Sequence, residues 1–393
     1  MQSSSGNHWI ALDHVRALAA FCVFTWHFVH GANGYPLDLA GAPIVFPMAI
    51  LDEGHTGVAL FMTLSGYLFA KLLDGKSIDY NAFFWNRFLR LAPLLFLVIF
   101  FNAVVETVTG GGSGLLAYLK ITAASLIVPF PRPISDNGIW SILVEVHFYL
   151  VLPLLLIASR HWKLALVICV ASAVALRAIL LASGGDIQQI AYWTIVGRID
   201  QFLLGIIAFQ NRHLMFKGHF AAGLIATAFC LFYYWFDARG GYAAAGLQPG
   251  ATALWVVLPT FEAIAYAAII AYYDGTYSPR SSGLSGLVAK AGTFSYSIYL
   301  LHFFIVFQAA DFVHRDVMPI SNFYVACLWS LLCFCLMVPV GWLSYNCIER
   351  PFLRLRRNYV RESAGEMSPQ EDRRAGLQVT GDSGSRAILH TKS

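Results

Sequence analysis

Apolar runs of helical length recur along this chain, separated by short polar connections. They cover about 9–30, 55–73, 90–109, 139–158, 163–183, 195–211, 218–237, 252–273, 291–311 and 323–346. A spanning helix needs roughly 20 apolar residues, so the pattern predicts an all-α, polytopic membrane protein of about ten transmembrane helices. The stretch from Leu115 to Phe130 is shorter, is interrupted by Thr122 and Ser125, and ends in Pro129-Phe130-Pro131. It reads as an interfacial or re-entrant piece. No internal repeat is visible, which removes one usual support for a transporter.

Loop charge gives an orientation. With the N-terminus inside, the short inside loops hold Lys71, Lys76, Arg87, Arg90, Arg160, Lys163, Arg212, Lys217, Arg280 and Lys290, whereas the outside loops hold Lys120, Arg132, Arg239 and Arg315. The positive-inside rule then places both termini in the cytoplasm, in a multi-pass protein of the cell (inner) membrane. Beyond Asn358 the chain is polar and poor in aromatics. The expected division is a membrane domain over 1–357 and a disordered cytoplasmic tail over 358–393.

Composition sharpens this picture. Of 393 residues, 58% are hydrophobic and 12% charged, about half the charge of a soluble domain. The formal charge of +4 gives no reason to expect nucleic acid. The seven cysteines lie in or beside apolar runs without metal-ligand spacing, so neither a disulfide framework nor a metal site is expected. Asp13 and Arg16 interrupt the first run, and no basic stretch precedes it, so it reads as a retained span rather than a signal peptide.

The candidate chemistry lies in polar groups that a bilayer disfavours. Arg16 and His27 share one helix face, about 16 Å apart along the axis, and mark an interior polar track. Ser141, Glu145 and Tyr149 share a face of the fourth run. With the fourth run entering from the outer side, Glu145 is expected at the depth of His27, where a carboxylate would orient the imidazole as a general base. Arg87 and Arg90, three apart at the start of the third run, present forks suited to phosphate, although arginines there also serve as topology anchors. Ser295, Tyr299 and His302 share a side of the ninth run, and His302 is placed near the cavity of His27. Gly57, Gly66 and Ser65 suit close helix packing. Arg198 and Asp200 read as a structural pair or cap, Glu262 has no obvious partner, and Glu349 is expected to pair with Arg350 beside Pro351.

These pieces, in this order, resemble the acyltransferase 3 family of polytopic membrane proteins. The resemblance rests on Leu12-Asp13-His14-Val15-Arg16-Ala17-Leu18-Ala19-Ala20 with His27, on Gly57 to Tyr67, on Arg87 to Pro93, on Trp140 to Tyr149, on Ser295 to His302 and on Ile348-Glu349-Arg350-Pro351-Phe352. It covers nearly everything from Leu12 to Phe352. Two departures stand out. Val146 and His147 occupy places where a second glutamate and a glutamine are frequent, leaving Glu145 alone in the carboxylate role. His14 stands where glycine is usual.

The resemblance implies an O-acyltransferase taking an acyl group, in the first instance acetyl, from cytoplasmic acyl-CoA to a hydroxyl of a cell-surface polysaccharide or other glycan. It implies His27, Arg16 and Glu145 as catalytic residues, and Arg87, Arg90 and Arg16 as donor-binding residues. Trp140, Ser141, Tyr149 and His302 are expected to bind substrate. The expected partners are the lipid bilayer, acyl-CoA and a glycan or glycolipid acceptor, with no metal cofactor. No hydrolase-like domain follows the last run, so transfer is expected to finish within the membrane domain. Direct transfer and a covalent acyl-histidine both remain open. Two competing readings are a proton-coupled secondary transporter using Arg16, His27, Glu145 and Glu262 as a relay, and a non-catalytic envelope assembly protein.

Overall fold

The computed structural model describes residues 9–31, 35–39, 43–74, 76–108, 138–162, 164–246 and 249–362, with isolated positions between 116 and 124. The re-entrant piece expected from Leu115 to Phe130 therefore lies almost wholly outside the described residues, as does the tail beyond 362.

The principal helices are α1 (Ile10–His30), α2 (Gly57–Leu73), α3 (Tyr80–Val108), α4 (Ile139–His161), α5 (Ala165–Ala182), α6 (Ile187–Trp193), α7 (Ile195–Gln210), α8 (His219–Asp237), α9 (Leu258–Thr276), α10 (Gly283–Thr293), α11 (Ser295–Leu301), α12 (Val306–Phe312) and α13 (Phe323–Ser344). One antiparallel ribbon joins β1 (Lys76–Ile78) to β2 (Val360–Glu362). The protein is thus all-α apart from this ribbon.

Among the described residues, six helices are long and apolar enough to cross a membrane, or up to eight if each of two bent pairs counts as one span. This lowers the expected count of about ten, for two physical reasons. Helices α1 and α9, of 21 and 19 residues, have the length but carry interior polar groups that reduce their apolarity. Two other runs are broken: α6 meets α7 at 47°, and the helix through α11 meets the one through α12 at 57°. At the first break Thr194 caps α7, its hydroxyl accepting from the Gly197 N–H at 3.2 Å.

Helix α2 is a hub. Of its apolar window 78% is buried, against 22% in each of α5 and α8. Its contact with α7 depends on glycine, because a Cβ on Gly66 would lie 2.0 Å from the Phe202 carbonyl oxygen and one on Gly205 2.1 Å from that of Thr63. Small residues let the two backbones touch. Phe96, Phe100, Leu154, Ile168, Phe220 and Leu336 are each more than half exposed, as a lipid-facing surface requires.

Several buried charges are paired inside. Arg177 and Asp200 are both 0% exposed and meet at 2.7 Å. Arg177 also donates to the carbonyls of Val256 and Gly197. Arg198, expected beside Asp200, instead lies 3.6 Å from Glu262 and stacks on Tyr192. Glu262 accepts from Thr56 (2.7 Å), Tyr233 (2.6 Å) and Gln201 (3.1 Å), which supplies the partners its sequence neighbourhood lacks. His14 binds the Tyr273 hydroxyl and the Ser285 carbonyl, each at 2.8 Å, and so ties α1 to α9 and α10.

Two expectations near the C-terminal end change. Glu349 accepts from Ser297 and Arg350 donates to Asn346 at 3.0 Å, so neighbouring side chains turn to different partners. Residues 358–362, expected to begin the tail, are docked. Tyr359 is 1% exposed, and Val360 pairs with Ile78.

Gly205→Ala is expected to cost about 1–3 kcal/mol by overpacking the α2–α7 contact. Gly223→Ala, which adds a Cβ with nothing within 4 Å, should leave stability unchanged or slightly raised. Melting temperatures of the two variants in one detergent check the difference.

Candidate functional site

Three cavities lie in series through the bundle. A vestibule of about 500 Å³ is lined by Trp9, Asp13, Arg16, Arg87, Arg90 and Arg356, among others. It shares Arg16, Leu68, Phe69, Arg87 and Arg90 with a central cavity of about 820 Å³. That cavity shares Val58 and Tyr299 with a far chamber of about 390 Å³ containing His27. Of the two polar residues that share a face of α1, Arg16 lines the first two cavities and His27 the third.

At the vestibule, helix α3 delivers Arg87 and Arg90 inward because residues three apart share a face. Arg87 lies within 5.1–5.9 Å of the rings of Phe69, Phe83, Tyr149 and Tyr359. One of its terminal nitrogens donates to the Tyr359 hydroxyl at 3.3 Å, while its buried Nε has no partner among the described residues. Arg90 lies over Tyr296 at 5.9 Å. Arg16 is held by Asp13 one turn back, at 2.5 Å. Burial, then the nearby charges of Arg90 and Arg87, pull Arg356 down to about 10.

The central cavity gathers Ser65 from α2, Ser141, Glu145 and Tyr149 from α4, and Ser295, Tyr296 and Tyr299 from α11. Glu145 accepts from Tyr149 and, at 3.4 Å, from Ser65. Ser65, read as a packing residue, thus faces the cavity. The Ser141 and Tyr299 hydroxyls are 2.7 Å apart where the central cavity meets the far chamber.

The far chamber is aromatic: Trp26, Trp140, Tyr192, Trp193, Tyr242 and Phe303 line it beside His27 and His55. The His27 ring packs 4.8 Å from Trp26, 4.6 Å from Phe303 and 5.3 Å from His302, and its buried Nδ1 has no partner among the described residues. His302 does not line the chamber itself. Its Nδ1 lies 2.5 Å from the Tyr299 carbonyl, and its ring backs His27.

Helical periodicity thus brings Arg16, Arg87, Arg90, Ser141, Glu145 and Tyr149 onto one cavity, and His27 and Trp140 onto the next. It does not put Glu145 beside His27. Glu145 is one turn past Ser141, about 6 Å farther along α4, with Tyr149 and Ser65 as its partners. Two imidazoles do meet carboxylates: His30, whose Nε2 is 3.3 Å from Asp52, and His55, whose Nε2 is 2.7 Å from Glu53 and which lines the far chamber. Glu53 also accepts from the Tyr242 N–H at 3.0 Å. This pair, with Arg356 and Tyr359, is absent from the sequence-based candidates. Glu53 precedes and His55 opens the second apolar run, and Arg356 follows the last, positions at which helical periodicity gives no signal.

Comparison with known proteins places the chain. The acyltransferase 3 family, described as an acyltransferase domain, matches residues 9–345. Nodulation protein 10 of Rhizobium leguminosarum bv. viciae is 27% identical over 399 residues, covering 91% of this chain and 96% of the relative. The exopolysaccharide production protein ExoZ of Rhizobium meliloti is 27% identical over 77% of this chain and 91% of its own length. The putative peptidoglycan O-acetyltransferase YrhL of Bacillus subtilis is 27% identical over 47% of this chain, a match that spans only 30% of that protein. No solved structure matches. With a family match over most of its length and several helices fit to cross a bilayer, the chain belongs to the acyltransferase 3 family and is a membrane acyltransferase.

Proposed function

We propose that this protein transfers an acyl group, in the first instance acetyl, from cytoplasmic acyl-CoA to a hydroxyl of a cell-surface polysaccharide or related glycan. The observation that carries the reading is the succession of three cavities, each sharing wall residues with the next, from the arginines to His27. The orientation adopted is that of the positive-inside rule, with the vestibule cytoplasmic and both termini on that side. The relatives named for exopolysaccharide production and peptidoglycan O-acetylation support a glycan acceptor.

In this mechanism Arg87 and Arg90 hold the donor's phosphates, since guanidinium forks match phosphate oxygens. Arg16, at the junction of vestibule and central cavity, holds the donor where its thioester arm enters. The arm lies along the central cavity, where the Glu145 carboxylate accepts from an amide N–H of the arm and Tyr149 fixes that carboxylate. The thioester reaches the Ser141–Tyr299 junction, and the acceptor enters against Trp140 and the other aromatic walls of the far chamber. His302 backs the His27 ring and fixes its orientation.

His27 takes the acceptor hydroxyl's proton as the oxygen attacks the thioester carbon. The new C–O bond forms, the C–S bond breaks, and the imidazolium returns the proton to the departing CoA thiolate. An acyl-histidine formed on His27 and then passed to the acceptor balances equally, with the same groups in place. The transporter reading gains no support, because the matching family and relatives are acyltransferases.

His27→Ala should lower acetyl transfer by about 10²–10⁴-fold, the usual contribution of a general base, while leaving acetyl-CoA affinity unchanged. Arg87→Ala should instead weaken acetyl-CoA binding. Equilibrium binding beside radiolabelled transfer separates the two effects. Turnover retained in His27→Ala would remove the base assignment. Trp140→Ala should raise KM for a glycan acceptor without altering acetyl-CoA binding, and an acceptor titration at saturating donor checks it.

A further inference from the structure

The vestibule is closed on one side by residues that follow the last long helix and lie beyond the family match, which ends at 345. This segment is firmly attached to α3. Asn86 donates to the Arg357 carbonyl at 2.7 Å and accepts from the Arg357 N–H at 2.9 Å. Trp85 donates to the Leu355 carbonyl, and the Asp79 N–H donates to that of Tyr359. The β1–β2 ribbon completes the attachment, and the Tyr359 ring packs 5.6 Å from Phe83. Arg356 and Tyr359 are thereby held on the vestibule wall opposite nothing but cationic and apolar groups, Asp13 excepted.

Charge then specifies the occupant. Arg16, Arg87, Arg90 and Arg356 converge on one cavity whose only lining carboxylate, Asp13, is engaged by Arg16. Glu349, which does not line the cavity, accepts from Ser297 and is close enough to Arg90 and Arg356 to offset part of their charge. Buried Nε atoms of both Arg87 and Arg356 have no partner among the described residues. Like charges gathered in a poorly solvated space repel, and a multiply charged anion offsets that repulsion.

We infer that the docked segment 355–362 carries one wall of the donor site, through Arg356 and Tyr359, and that Arg356 is a further ligand for the phosphates of acyl-CoA, an assignment that rests on the donor reading above. An anionic lipid headgroup shares the phosphate chemistry, so the test separates the two sources.

The full chain is placed in phosphatidylcholine nanodiscs and titrated with acetyl-CoA and with acetyl-pantetheine, which has the thioester arm but no nucleotide phosphates. Arg356→Ala should weaken acetyl-CoA binding roughly tenfold or more, as loss of a charge-assisted contact does, and leave acetyl-pantetheine binding unchanged. Arg356→Lys should recover part of the loss. Arg354→Ala, at an exposed neighbour that lines none of the three cavities, should match wild type. Equal loss of both ligands in Arg356→Ala would reduce the segment to a structural strap and overturn the assignment. An Arg356→Ala effect seen only as altered competition by phosphatidylglycerol would overturn it in favour of lipid. Normal acetyl-CoA binding by Arg356→Ala with loss in Arg87→Ala would remove this assignment alone. Folded wild type that binds no acetyl-CoA would remove the donor reading and this assignment together.

Discussion

A charged side chain at the centre of a spanning helix costs about 2.5–3.5 kcal/mol on insertion scales, and avoiding that cost arranges this molecule. Each intramembrane arginine turns inward, and two kinds of interior receive them. Arg177 and Arg198 meet carboxylates, carbonyls and aromatic faces and are fully satisfied within the fold. Arg16, Arg87 and Arg90 instead border open space. The first set fastens α5, α7 and α9 together. The second lines the cavities on which the proposed donor site is built.

Close helix contact makes the second interior possible. Gly66 and Gly205 bring α2 and α7 together at backbone distance. That contact holds Ser65, Leu68 and Phe69 on one wall of the passage while α4 and α11 supply the other walls. The passage changes character along its length, from guanidinium groups, through hydroxyls and one carboxylate, to an aromatic chamber with imidazoles. An anionic donor, a thioester arm and a hydroxyl-bearing acceptor would meet these environments in that order.

Helical periodicity made much of this legible in the sequence. It specifies which residues share a face, and so sets Arg16 with His27, Arg87 with Arg90, and Ser141 with Glu145 and Tyr149. It does not specify how far one helix is shifted along another. Glu145 is therefore expected at the depth of His27, whereas it lines the cavity of the arginines and bonds Tyr149 and Ser65. Partners distant in sequence, such as Arg177 with Asp200 and Arg198 with Glu262, carry no local signal either. Among the described residues six to eight helices, not ten, are long and apolar enough to span, because interior polarity dilutes α1 and α9 and because two runs are bent. Arg356 and Tyr359 escaped notice because a short polar stretch after the last apolar run looks like a tail until its bonds to Asn86 and β1 are seen.

The central claim is that donor and acceptor approach His27 from opposite membrane faces. Proteoliposomes of known protein orientation, with labelled acetyl-CoA on one side and a glycan acceptor on the other, test it most directly. The account predicts labelled acceptor only when acetyl-CoA is on the face bearing Arg87 and Arg90 and the acceptor is on the face nearest His27. Efficient transfer with both substrates confined to the same face, or with their sides exchanged, would contradict it.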